Sequence, residues 1–180
     1  LKLRGPNTHF PFSGSSTKQT ATSHSTTEAE VVAADLAMRM EGLPAIDFWS
    51  FILGEEILGK GKSIKCYFYE DNQAAIKVLE SGKNPTLRYL GRTHRVDMAW
   101  IFERVQNGDF DLAYCTSEEQ AADIFTKHFV LSDKWDEVLR SIGHYTYEDL
   151  FAKLKPINKS KSSKPNPNYD LPPKINLWGC

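Results

Sequence analysis

Cysteine is scarce: three residues in 180, at positions 66, 115 and 180, with no Cys-x-x-Cys pair and no Cys/His spacing of the kind that holds zinc. That excludes a disulfide-built scaffold and a zinc finger, and so sparse and odd a set fits a reducing compartment. Cys66 and Cys115 fall inside expected strands, where a small buried thiol is the ordinary outcome. No stretch approaches the roughly 18 consecutive apolar residues that a membrane-spanning helix needs. Leu1 to Arg4 leads into Gly5-Pro6 and not into an apolar run, so no secretory signal is expected. The expected location is intracellular, cytoplasmic or nuclear, with no membrane partner. A strong positive balance is missing too. The net charge is −1, so any contact with nucleic acid has to come from a local patch. An opening on Leu1 instead of Met carries the expectation that sequence upstream is missing.

What is present suits a folded domain: 41% hydrophobic, 12% aromatic and 25% charged residues. One core is expected, with length left for a tail. From Ala152 to Cys180 six lysines face a single acid, Asp170, which gives that segment +5 and leaves −6 for residues 1–151. The segment also holds five of the nine prolines, so residues 152–180 read as a basic, mostly disordered tail. Residues 1–130 read as the main domain and 131–151 as a helical extension.

Apolar positions around Gly5-Pro6-Asn7 predict a hairpin of two short strands, and Lys18 to Ser25 is expected to be extended or a further strand. Two overlapping capping boxes, Ser25 with Glu28 and Thr27 with Glu30, start a helix that turns Val31, Ala34 and Met38 inward and leaves Leu36 open. Gly42-Leu43-Pro44 is expected to interrupt it before a second helix, Ala45 to Leu58. There Phe48, Trp49, Phe51, Ile52 and Leu53 are expected to be core or shelf packing and not a ligand box. Ser63 to Tyr69 alternates as a strand that ends at Glu70-Asp71. Helices are expected over 72–80, 92–106, 118–127 and 132–142, and a strand over 110–115 after the Asn107-Gly108 turn. The order implies an α/β layered domain with a mixed sheet flanked by helices.

Three carboxylates stand in fitting local settings. Glu30 lies near the start of the first long helix, in STTEAEVVAADLA (25–37), where the helix amides make a mildly positive field. If Glu28 faces solvent as a box member, Glu30 points about 200° away from it. Asp71, in YFYEDNQAAI (67–76), sits at the carboxyl end of a strand, where open α/β sheets place ligands. It reads equally as a helix cap, although Asn72 can fill that role. Asp123, in EEQAADIFTK (118–127), opens a helix after small Ala121 and Ala122. Brought together, the three would hold divalent metal over a phosphodiester; apart, they are three unrelated surface acids.

Four segments in series, KQTATSHSTTEAEVVAA (18–34), YEDNQAAI (69–76), LGRTHRVDMAWIFERV (90–105) and YCTSEEQAADIFTKHF (114–129), resemble the ribonuclease H domain of copia-type long-terminal-repeat retrotransposon polyproteins. The resemblance implies a ribonuclease-H-like fold, cleavage of the RNA strand of an RNA–DNA hybrid, and metal-ligand roles for Glu30, Asp71 and Asp123. It also implies two Mg²⁺ or Mn²⁺ ions, and a reverse transcriptase as neighbour in the parent polyprotein. One departure is large. The family carries a fourth carboxylate on a first strand that sits in the middle of the sheet, yet no Asp or Glu occurs among residues 1–27. The expectation is an N-terminally truncated domain lacking that strand, with weak metal binding and little catalysis. No histidine lies in residues 116–122, where cellular ribonucleases H carry one, so no general acid is assigned.

Residues 83–95 supply the basic patch: Lys83, Arg88, Arg92 and Arg95 with no acid among them, and Tyr89 and His94 to add stacking or a hydrogen bond. His9, His24, His128 and His144 have no ligand spacing and read as structural. A second function remains in view, a non-catalytic remnant that binds nucleic acid or packs on a reverse transcriptase.

Overall fold

The chain, described by a computed structural model for residues 1–4, 9–60, 64–83, 87–149 and 174–178, is of mixed α/β class. Strands β1 (Lys2–Arg4) and β2 (His9–Pro11) form the expected antiparallel hairpin. Its Gly-Pro-Asn turn lies outside the described residues. Strand β3 (Lys65–Glu70) alternates as its sequence requires, burying Cys66, Phe68 and Glu70 on one face. Strand β4 (Phe110–Tyr114) pairs with it in parallel, Cys66 opposite Phe110 and Glu70 opposite Tyr114.

The middle of the sheet comes from an unexpected place. Strand β5 (Lys174–Trp178) lies antiparallel to β1 and parallel to β3, giving the order β2-β1-β5-β3-β4. Part of the tail that was expected to lack regular structure is therefore a strand; residues 150–173 and 179–180 lie outside the described residues. The physical reason is the demand of two open edges. The inner sides of β1 and β3 carry backbone groups that must be paired, and five residues of KINLW suffice to pair both. So short a pattern inside a Pro- and Lys-rich segment is too weak to read ahead of the fold.

Helix α1 (Thr26–Ala37) starts as its capping residues dictate, with Ser25 Oγ accepting from the Glu28 amide at 3.1 Å. Val31, Ala34 and Met38 are fully buried and Leu36 is exposed. The expected interruption at Gly42-Leu43-Pro44 is absent. One π-helical turn, Met38–Gly42, carries the chain directly into α2 (Leu43–Leu58), and the wider turn accommodates a proline that has no amide to donate. The break comes at Gly54 instead, whose φ of 58° suits glycine. The expected core role of α2 holds for only part of its apolar set. Trp49 and Leu53 pack against the core, while Phe48, Phe51 and Ile52 are 47%, 85% and 52% exposed. A helix apolar on every face cannot turn all of them inward.

Helix α3 (Gln73–Ser81) is capped by Asn72, whose side chain accepts from the Ala74 and Ala75 amides. It ends at Gly82 (φ 64°), where a Cβ would lie 2.7 Å from Phe102 of helix α5 (Met98–Gln106). The single helix expected over 92–106 is split into α4 (Leu90–Thr93) and α5, because Arg95 takes φ 60° and Asp97 caps a new start. The helix expected over 118–127 shrinks to a 3₁₀ turn, Ala121–Phe125, before α6 (Ser132–Ser141). Helices α1, α3 and α5 enclose the core with β3 and β4 around Phe68, Leu79, Ile101 and Phe110. Among the described residues no helix is long and apolar enough to cross a membrane.

Proline at position 176 would remove an amide from the middle of the ladder. Asn176→Pro is expected to cost about 3 kcal/mol or more, read as a lower urea midpoint, with faster hydrogen exchange at Lys2–Arg4 on the neighbouring strand.

Candidate functional site

The carboxyl end of β3 opens on a cavity of about 970 Å³. Glu30, Asp71 and Asp123 all line it, although 41 and 52 residues separate them along the chain. Glu30 stands just beyond the first turn of α1, which Glu28 occupies. Asp71 follows β3, and its Oδ2 accepts from Ser117 Oγ at 2.7 Å. Asn72 and not Asp71 is the cap of α3, so the Asp71 carboxylate is left to face the cavity. Asp123 sits in the 3₁₀ turn, 9% exposed, with Oδ2 held 2.6 Å from Lys127 Nζ.

The acids feel one another. Burial pushes the Glu30 carboxyl up to about 7, the charges of Asp71 and Asp123 push the same way, and Lys127 opposes them. Glu30 Oε2 has no hydrogen-bond partner among the described residues. Glu70, fully buried, is pushed up to about 8 by burial; the Asn72 amide, 2.9 Å from Oε1, acts against that, and Glu30 and Asp71 reinforce it. Its Oε2 also lacks a partner among the described residues. Burial first, then Asp71 and Glu70, raises the nearby Cys115 thiol to about 12.

Several of these side chains were not singled out beforehand. Glu70 was legible in principle, since alternation places it on the same face as Cys66 and Phe68. Lys127 was visible as the residue four after Asp123, one helical turn away. Gln120 had no sequence signal. It is 3% exposed, lines the cavity, and neither amide atom has a hydrogen-bond partner among the described residues.

Glu28 does not face solvent. Its side chain is 1% exposed, accepting from the His24 amide at 2.9 Å and meeting His94 Nε2 at 3.0 Å. His94, expected to help bind nucleic acid, is thus buried against Glu28. It ties the start of α1 to the α4–α5 junction. Lys83, Arg88, Arg92 and Arg95 are exposed, and Tyr89 packs edge-on to His24.

The donors around the cavity are carboxylate oxygens, the kind a hard divalent cation takes, and one of them is orphaned. Among the described residues no three His, Cys, Asp or Glu groups are placed to hold one metal ion.

Two measurements bear on these contacts. In the folded chain Glu70 binds a proton between about pH 4.5 and about pH 8 that the unfolded chain has released, so its contribution to stability falls as pH rises through that window. Glu70→Gln is expected to gain on the wild type by a few kcal/mol (~3) as pH goes from about 5 to about 8, seen in urea midpoints. His94→Ala strands the buried Glu28 carboxylate and is expected to cost about 1–3 kcal/mol in the same assay. No family model, curated protein or solved structure matches the chain.

Proposed function

We propose that this chain is a ribonuclease-H-like domain of copia-type retroelement ancestry, acting on RNA–DNA hybrid and impaired as a nuclease. One observation carries the reading. Three acids from distant segments, the same three that the resemblance marks, line one cavity at the end of a strand, and Glu30 responds to the charge of the other two. The sheet supports it as well, since a strand occupies the place between β1 and β3 where the family's acidic strand belongs, and that strand, KINLW, carries no carboxylate.

Divalent metal, when bound, would activate water and stabilise the leaving oxygen of a phosphodiester. Glu30, Asp71 and Asp123 would hold it, with Ser117 fixing the Asp71 carboxylate. Lys83, Arg88, Arg92 and Arg95, all exposed, would grip the phosphate backbone of the hybrid. The strand in the place of the family's acidic strand carries no carboxylate, so the expected nuclease rate is low.

A second reading has its own support. The exposed apolar face of α2, with Phe48, Phe51, Ile52 and Ile57, suits a domain that packs against a larger protein such as a polymerase without catalysing anything.

Fluorescence anisotropy with a labelled RNA–DNA hybrid in EDTA tests the proposal. Binding is expected to prefer hybrid over duplex DNA and to weaken as salt rises, and Arg92→Ala should lower the salt slope by about one. Equal affinity for duplex DNA, or none for hybrid, would reject it. Rapid RNA-strand cleavage in Mg²⁺ would reject the impaired part alone.

A further inference from the structure

Lys127 stands apart from the other cations of the chain. It follows Asp123 by four residues, and its own amide donates to the Asp123 carbonyl at 2.8 Å, so the local turn sets the ammonium over the Asp123 carboxylate. The side chain is half exposed while that of Asp123 is nearly buried. It lines the same cavity as Glu30 and Asp71, and both of those acids add to the field that keeps it charged. The same cavity is lined by Glu30 and the buried Gln120, whose Oε2 and two amide atoms respectively have no hydrogen-bond partner among the described residues. Lys2, Lys18 and Arg39 line the cavity too, but Lys127 is the lysine paired with one of the three acids that the resemblance marks, at 2.6 Å from Asp123.

We propose that Lys127 is the resident counter-ion of the cavity, tethered where a divalent ion would have to sit, so that Mg²⁺ or Mn²⁺ binds only by displacing it from Asp123. The inference rests on the ribonuclease-H-like reading and deepens it. It also accounts for acids that share a cavity without standing at ligating distances, because a single charge held by one of them does not draw the other two inward. Divalent charge would.

The test uses the full chain with Mn²⁺ as the probe, followed by electron paramagnetic resonance of the free ion and by thermal shift against an EDTA control. Lys127→Met and Lys127→Gln remove the charge at a half-exposed position and should fold; Lys127→Arg keeps it. Taking away a unit charge about 4 Å from the bound ion is expected to tighten Mn²⁺ by at least about fivefold even at the dielectric of water. Lys127→Arg should bind like the wild type. Adding Asp71→Asn to Lys127→Met should cancel the gain. Neutral variants that bind Mn²⁺ no tighter than the wild type, or an arginine variant that gains as much as they do, would overturn the proposal. If the wild type already binds as tightly as Lys127→Met, the role of Lys127 falls and the ribonuclease-H-like reading stands. If no variant binds Mn²⁺, both the role of Lys127 and the metal-dependent part of that reading fall.

Discussion

Strands β1 and β3 are each hydrogen-bonded to β5 and not to one another. That constraint governs the architecture, because the hairpin β1–β2 joins the parallel pair β3–β4 only through five residues from far along the chain. A sheet tolerates open inner edges poorly, since every amide and carbonyl along them must find a partner or remain solvated. The cavity inherits the consequence. Asp71, just after β3, lines it together with residues of the β1–β2 side, including Leu1, Lys2 and Pro11.

Around the cavity the electrostatics are those of like charges kept close together in partly buried positions. Glu30 and Glu70 respond by holding protons to unusually high pH, Asp71 by accepting from a serine, and Asp123 by pairing with a lysine. Four acids thus reach tolerance by three different means, namely protonation, hydrogen bonding and a counter-charge. Such an arrangement is expected where function and not stability has selected the groups, since replacing them with apolar residues would relieve the strain.

Much of the site was legible because its signals are local. A strand of alternating aromatics ending in Glu-Asp, a Ser25/Glu28 cap and an Asn cap at position 72 each follow from a few adjacent residues, and each formed as the sequence requires. What escaped depends on contacts between distant segments. KINLW becomes a strand only because two edges await it, and Glu28 is buried only because His94 arrives from residues 90–94 to meet it. Pro44 failed to break its helix because a π turn relieved the clash, an adjustment that propensity does not encode. The expected burial of Phe48, Phe51 and Ile52 went wrong for a different reason. Apolar character says that a residue benefits from a cover and does not say whether this chain supplies one.

The buried thiols give the architecture a built-in reporter. Cys66 lies fully enclosed on β3, directly beside Ile175 in the register of the inserted strand, and its thiol is pushed up to about 12, burial being the main cause. So little thiolate exists in the closed fold that alkylating reagents find almost nothing to attack. Reaction at Cys66 would therefore count the moments when the sheet parts, making a cysteine with no chemical role a clock for the integrity of the whole seam.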